Sequence, residues 1–157
     1  MRFRAVMRAV RRPAAAVFLF VQCTWGAAQT LLGFLLFLRF LRAPHRCYCG
    51  SISTRWKLDG GISLGLFIFT PDREEAWCRQ MEVHEYGHAW QSLLLGPLYL
   101  IIVGLPSILW ARLPGCIRMR RERQVPYSAF YTERWADRLG EAMTALLGMA
   151  GGGSGGQ

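Results

Sequence analysis

The sequence lacks any charged residue between positions 14 and 38, although 18% of its residues are charged overall. A charge-free apolar run of this length meets the requirement of roughly 20 residues for a transmembrane helix. The run is longer than the hydrophobic core of a signal peptide, and no small-residue cleavage site follows it. We therefore predict a transmembrane anchor over residues 14–41 rather than a cleaved signal peptide.

Acidic residues are also scarce: the chain has 10 acids against 19 Lys plus Arg, a formal net charge of +9. Because no RNA- or DNA-binding signature accompanies this charge, we predict no nucleic-acid partner. The apolar segments favour anionic membrane lipid as the partner of the basic residues. We expect an integral protein of the bacterial inner (cytoplasmic) membrane. The arginines of residues 1–13 favour a cytoplasmic location of the N-terminus. Arg39, Arg42 and Arg46 at the other end of the apolar run weaken this prediction, so the orientation in the membrane is left open.

The five cysteines do not have the spacing of a zinc ribbon. Cys47-x-Cys49 alone is a weak metal signal, and a disulfide from either residue to Cys116 is possible in an oxidising compartment. Cysteine spacing therefore does not predict a metal site.

Histidine is rarer still, with three in the chain, yet two of them occur in His84-Glu85-Tyr86-Gly87-His88. Residues four apart lie on the same face of a helix, so both imidazoles can reach one metal ion. In this H-E-x-x-H pattern of zinc hydrolases, Glu85 is placed to deprotonate a metal-activated water. The alternative is a chance match, with two histidines satisfied by their neighbours on an amphipathic helix.

A zinc site of this kind needs a third protein ligand, which can be Asp or Glu, His, or Cys. The best candidate is Glu133, because Asp137 follows it four residues later on the same helix face. Asp137 could then orient a ligand histidine by accepting its other N–H. The alternative is a solvated helix face on which both carboxylates pair with Arg134 and Arg138.

The patterns around the motif predict an α+β fold. Residues 48–56 and 62–69 have the composition of strands, and Leu58-Asp59-Gly60-Gly61 between them is a hairpin signal. This hairpin either pairs with an extended substrate or covers the motif helix. A helix is predicted from Thr70-Pro71-Asp72 through both histidines to Leu95, ending at Gly96-Pro97.

The apolar segment 93–111 lies between the two halves of the predicted site. A straight transmembrane helix there would separate His88 from Glu133 by about 30 Å, whereas a zinc–oxygen bond is about 2 Å. We therefore predict a re-entrant or interfacial helical hairpin, bent at Gly96-Pro97 or at residues 104–106. The alternative is a metal site that lies within the bilayer.

HEYGH at 84–88 together with ERWADRL at 133–139 resembles the gluzincin metallopeptidases. The resemblance is closest to the membrane-bound CAAX-protease and HtpX-type class, in which an H-E-x-x-H helix precedes an E-x-x-A-D helix. It implies that His84, His88 and Glu133 bind Zn²⁺, that Glu85 is the general base, and that Asp137 orients a ligand. It covers two short motifs in a shorter chain, so the substrate class of those enzymes does not carry over.

By this resemblance, residues 42–150 form a zincin-like metallopeptidase domain that includes segment 93–111, and residues 151–157 are a flexible Gly/Ser tail. The function expected is that of an integral-membrane zinc metalloendopeptidase acting on a peptide or protein substrate. Tyr127 or Tyr131 could stabilise the oxyanion, or both could simply pack. One alternative is a non-catalytic membrane module in which the metal ion links two helices. Another is a metal-free membrane assembly protein. Three ligands with an open position favour the enzyme, because structural zinc usually has four protein ligands.

Overall fold

In the part of the chain that the structure describes, two helices precede the four strands, and the remaining helices follow them, with the two predicted motif helices packed against each other. The computed structural model describes residues 13–152; the basic segment up to residue 12 and the tail from residue 153 lie outside the described residues. The predicted α+β class is confirmed. The elements are α1 (Pro13–Thr24), α2 (Ala27–Arg39), β1 (His45–Tyr48), β2 (Ser51–Trp56), β3 (Ile62–Leu64), β4 (Phe67–Pro71), α3 (Glu75–Leu95), α4 (Leu105–Arg112), α5 (Pro114–Glu122) and α6 (Tyr131–Gly152).

The predicted anchor consists of two helices instead of one. Helices α1 and α2 meet at an angle of 98°. A Cβ on Gly26, at the bend, would lie 2.4 Å from Oε1 of Gln22, so a larger residue there would have to displace the Gln22 side chain. Within residues 13–152 no single helix is both long and apolar enough to cross a membrane. Two bent pairs reach that length and composition only when taken together, α1 with α2 and α3 with α4.

The four strands form one sheet in the order β1-β2-β4-β3. Strands β1 and β2 are an antiparallel hairpin, which turns at Cys49 and Gly50 with φ of 47° and 91°. The predicted strand over residues 48–56 therefore contains the last residue of β1, the turn and the whole of β2. Strand β2 pairs in parallel with β4, and β3 pairs with the other edge of β4 in antiparallel orientation.

The predicted hairpin across Leu58–Gly61 is wrong, because β2 and β3 are not neighbours in the sheet. The reversal occurs instead at Gly65, which has φ of 61° and splits the predicted strand 62–69 into β3 and β4. A Cβ at Gly65 would lie 2.1 Å from Oγ1 of Thr30 in α2. Packing of the sheet against α2 therefore depends on glycine at this turn.

Strand β4 forms the centre of the core, and all five of its residues are buried. It also displaces the predicted start of the motif helix. Pro71 still pairs with Trp56 in the sheet, and the Asp72 N–H donates to the Trp56 carbonyl at 2.8 Å. Helix α3 consequently begins at Glu75. Its predicted end is confirmed, with Gly96 as the C-cap at φ of 54°.

Polar contacts fix the rotation of α3 on the sheet. The buried carboxylate of Glu82 accepts hydrogen bonds from Ser53 Oγ at 2.5 Å and from Arg46 Nε at 2.6 Å. One turn later, the Tyr86 hydroxyl donates to the Cys49 carbonyl at 3.0 Å. Because these residues face the sheet, the two histidines of the motif are turned towards α6.

Two glycines allow α3 and α6 to approach closely. A Cβ at Gly87 would lie 1.9 Å from the carbonyl oxygen of Ala136, and one at Gly140 would lie 2.0 Å from that of Val83. A larger residue at either position would push the helices apart. The glycine inside HEYGH therefore sets the distance between the halves of the site.

The apolar segment folds back, as the separation of the motifs predicted. After α3 the chain passes through a 3₁₀ turn at Gly96–Leu98 and a π-helical turn at Leu100–Gly104, and the paired helices differ in direction by 120°. The Tyr99 hydroxyl ties this turn to the carbonyl of Ser63 in β3 at 3.3 Å. Trp110 of α4 stacks on Phe130 with ring centroids 4.9 Å apart, just before α6 begins. The bend thus returns the chain to the start of α6.

Candidate metal centre

Helices α3 and α6 bring the three predicted ligands together. His84, His88 and Glu133 each offer one ligand atom, and these atoms lie within 4.8 Å of one another. Oε2 of Glu133 is 3.1 Å from Nε2 of His84 and 3.4 Å from Nε2 of His88. The two imidazole rings are nearly perpendicular, with centroids 4.9 Å apart. Such a group of side chains could hold a metal ion.

Asp137 has the geometry predicted for it. Its Oδ1 lies 2.6 Å from Nδ1 of His84. A carboxylate only accepts hydrogen bonds, so Nδ1 of His84 carries a proton. The other nitrogen, Nε2, donates to Glu133 in the absence of a metal ion and could bind one on losing this proton. Asp137 therefore orients His84 with Nε2 towards His88 and Glu133.

His88 is oriented by a residue that the sequence analysis missed. Its Nδ1 lies 2.7 Å from Oε1 of Gln91, and Nε2 of Gln91 donates to the Thr132 carbonyl at 2.8 Å. Gln91 is three residues after His88 and so shares its helix face. The spacing of three residues is visible in the sequence. Glutamine occurs in many structural roles, however, so the spacing alone did not identify Gln91 as the partner of His88.

The charges of the cluster suit a cation. Burial alone would raise the pKa of Glu133, but the adjacent imidazoles of His84 and His88 hold this pKa well below its usual range. Burial alone would lower the pKa of His84, whereas its hydrogen bonds to Asp137 and Glu133 raise it to about 10. Glu133 is therefore ionised. Two imidazoles with one carboxylate form a ligand set that catalytic zinc sites use.

Glu85 lies beside this cluster, between the ligands and the loop that precedes β3. It is only 4% exposed, and burial raises its pKa. A Cβ at Gly61 would lie 2.1 Å from Oε1 of Glu85, so a larger residue there would have to displace this carboxylate. Oε2 of Glu85 is buried without a hydrogen-bond partner among the described residues. A buried carboxylate oxygen with no partner fits a site that takes in a further polar group.

The two tyrosines proposed for the oxyanion differ in position. The Tyr131 hydroxyl donates to the Ile102 carbonyl at 2.6 Å, so it is bound to the apolar segment instead of the ligand cluster. Burial, followed by the carboxylates of Glu133 and Glu85, raises the pKa of Tyr127. Tyr127 therefore lies near both carboxylates. Of the two tyrosines, it remains the candidate for stabilising the oxyanion.

Edge strand β3 covers one side of α3. Covering of the motif helix was one of the two interpretations of this region, and pairing with a substrate was the other. Gly61, directly before it, contacts the carboxylate of Glu85. The Ser63 carbonyl is already bound by Tyr99, which occupies one acceptor of the strand. Pairing of β3 with an extended substrate stays a prediction.

The described residues thus hold a group of His84, His88 and Glu133 that could bind a metal ion, with Glu85 beside it. Two short motifs separated by a bent apolar segment produce this geometry. No protein-family model, no curated protein and no solved structure matches the chain.

Proposed function

We propose that the chain is a zinc-dependent metalloendopeptidase of gluzincin type. The observation that carries this proposal is the meeting of His84, His88 and Glu133 beside the buried carboxylate of Glu85. A purely structural zinc site usually has four protein ligands, often including Cys. The donor set here has three ligands, and it is the set found at catalytic zinc ions with one open position.

Each side chain of the site has a distinct task in this proposal. A zinc ion held by His84, His88 and Glu133 would supply a water of lowered pKa and would polarise the carbonyl of the scissile bond. Glu85 accepts the proton of the attacking water and then delivers it to the nitrogen of the leaving amine. Its raised pKa makes it a stronger base than an exposed glutamate. Tyr127 is placed to donate a hydrogen bond to the developing oxyanion.

Metal removal tests the proposed activity. Purified chain loaded with zinc is incubated with a mixed-sequence peptide library, and cleavage is followed by mass spectrometry. We expect cleavage that phenanthroline abolishes, that added zinc restores, and that a non-chelating isomer of phenanthroline leaves unchanged. Bound zinc without any cleavage would contradict the proposed peptidase activity and favour a structural metal site that links α3 to α6.

We further propose that the chain is an integral membrane protein, with lipid as its second partner. Both bent helix pairs expose large apolar side chains. These include Val17, Phe20, Leu31, Leu35, Leu98, Ile101, Leu105 and Ile108. The two pairs meet, since a Cβ at Gly96 would lie 2.3 Å from the Trp25 ring, and Gln29 Nε2 donates to the Gly96 carbonyl at 3.0 Å. Their apolar surfaces are therefore adjacent, and a surface of this extent is typical of membrane contact.

Helix α5 follows α4 with a basic character that suits a lipid headgroup layer. This helix spans Pro114–Glu122 and contains Arg118, Arg120 and Arg121. Part of this charge is used internally, since the guanidinium of Arg120 lies 4.8 Å from the ring centroid of Trp110. Apolar residues followed by arginines are the order expected across the boundary of an anionic bilayer.

An alkaline carbonate wash of vesicles tests the membrane proposal. Wild type reconstituted into phosphatidylglycerol and phosphatidylcholine vesicles should stay with the vesicles, as an integral protein does. The Ile101→Arg variant should be partly released, because a charge in the bilayer costs about 2.5–3.5 kcal/mol. Leu58→Arg, at a comparably exposed leucine outside both helix pairs, serves as the control. Complete release of the wild type would contradict membrane integration.

A further inference from the structure

A buried hydrogen-bond network centred on Thr132 lies behind the metal centre. Thr132 is fully buried and directly precedes Glu133 in α6. Its hydroxyl accepts a hydrogen bond from Ser107 Oγ at 2.9 Å and donates one to Oε1 of Glu133 at 3.1 Å. Its backbone carbonyl accepts from Gln91 at 2.8 Å. Thr132 therefore contacts one ligand directly and the partner of a second ligand.

Chemistry fixes the direction of the hydrogen bonds through Gln91. The Thr132 carbonyl only accepts, so Gln91 must point its amide nitrogen at Thr132 and its oxygen at His88. An oxygen facing Nδ1 requires the proton of His88 at that nitrogen. A flipped amide would favour the other tautomer, with the proton at the nitrogen that faces Glu133. The Thr132 carbonyl therefore selects, through Gln91, the tautomer of His88 that can bind a metal.

The two oxygens of Glu133 have different partners. Oε1 accepts the hydrogen bond from Thr132, whereas Oε2 faces the Nε2 atoms of His84 and His88. A carboxylate held at one oxygen presents the other in a fixed direction. The Thr132 hydroxyl therefore assigns Oε2 as the ligand atom of Glu133.

We infer that Gln91 and Thr132 are positioning residues of the metal centre, which together fix the tautomer of His88 and the ligand oxygen of Glu133. The inference rests on the proposed function in taking His88 and Glu133 as metal ligands. Removing the partner of a metal ligand typically weakens metal affinity about 10- to 100-fold. Neither residue contacts substrate in this assignment, so the effect must be visible in metal binding itself.

Zinc affinity of the full chain, measured by competition with a chromophoric chelator, tests this inference. Thr132→Val removes the hydroxyl at nearly constant volume, and Gln91→Met removes the amide. We expect each to weaken zinc binding about 10- to 100-fold. Thr132→Ser keeps the hydroxyl, so its affinity should stay within about 3-fold of the wild type, since the bond to Glu133 is retained.

Matched controls separate positioning from general loosening of the core. Thr70 is a buried threonine whose hydroxyl has no hydrogen-bond partner among the described residues, and the buried Gln29 bonds to Ser92 and Gly96. Thr70→Val and Gln29→Met should leave zinc affinity unchanged. The visible spectrum of the cobalt-substituted protein gives a second readout, which should change in Thr132→Val but not in Thr132→Ser.

The possible results lead to different conclusions. Unchanged zinc affinity in folded Thr132→Val and Gln91→Met would overturn the inference. Equal weakening by Thr70→Val and Gln29→Met would overturn it as well, because the effect would then not depend on contact with the ligands. Two independent substitutions keep the test decisive if one variant does not fold. A wild type that binds no zinc would overturn the metal centre itself and with it the proposed function.

Discussion

Glu85→Gln should lower the rate of peptide hydrolysis by about 10²- to 10⁴-fold, the usual contribution of a general base. Gln has nearly the volume of Glu, so it can occupy the same space against Gly61. An amide cannot take a proton from water at neutral pH, however. Because Glu85 is not among the three ligands, zinc content should stay at about one ion per chain, as in a three-ligand catalytic site. The measurements are kcat on a cleaved library peptide and zinc by atomic absorption.

The control for this variant is Glu141→Gln, an exposed glutamate on α6. It makes the same chemical change away from the site and should keep wild-type activity. Retained hydrolysis in Glu85→Gln would refute Glu85 as the base. Loss of zinc in that variant would instead place Glu85 among the ligands.

Removal of a hydrogen-bond partner of a metal ligand weakens metal binding about 10- to 100-fold. Glu133→Ala removes a ligand itself, so it should weaken zinc binding by more than this. The substitution removes the anionic member of the ligand set. It also leaves Nε2 of both histidines without the carboxylate they face. A site reduced to His84 and His88 cannot complete the three-ligand set of a catalytic zinc ion.

A graded series makes the Glu133 result specific. Asp137→Ala removes the partner of His84 and should fall in the 10- to 100-fold range, about the effect of lost orientation. Glu141→Ala, on the same helix, should bind zinc like the wild type. Equal affinity in Glu133→Ala and Glu141→Ala would exclude Glu133 as the third ligand and require a search for another one.

The site was predictable where its geometry is local in sequence. His84 and His88 are four residues apart on one helix, as are Glu133 and Asp137, so helix geometry alone places each pair on a face. The fold-back of segment 93–111 followed from the need to bring the two pairs within bonding distance. Glycine at position 96 supplied the sequence signal for the bend.

The sheet was not predictable in the same way, because strand pairing is a contact between distant segments. Leu58-Asp59-Gly60-Gly61 has the composition of a tight hairpin, but β2 pairs with β4 in parallel. The turn between β3 and β4 lies at Gly65, which packs against Thr30 of α2, a residue distant in the sequence. The same pairing carries the strand through Pro71 and so delays the start of α3.

The bend at Gly26 and the partners of the ligands were also beyond the sequence. An isolated glycine in an apolar helix is compatible with a straight transmembrane span, and the bend depends on contacts of α1 and α2 with α3. Gln22, for instance, donates to the Ala89 carbonyl at 2.7 Å. Gln91 and Thr132 gain their roles only when α3 and α6 are side by side.

X-ray absorption at the zinc edge of the loaded wild type identifies the ligand atoms of the metal. The arrangement of His84, His88 and Glu133 predicts two imidazole ligands with zinc–nitrogen distances of about 2.0–2.1 Å, together with oxygen ligands at a similar distance. The spectrum should show no sulfur ligand. A zinc–sulfur shell at about 2.3 Å would place the metal at cysteine instead and contradict the account, as would zinc without imidazole scattering.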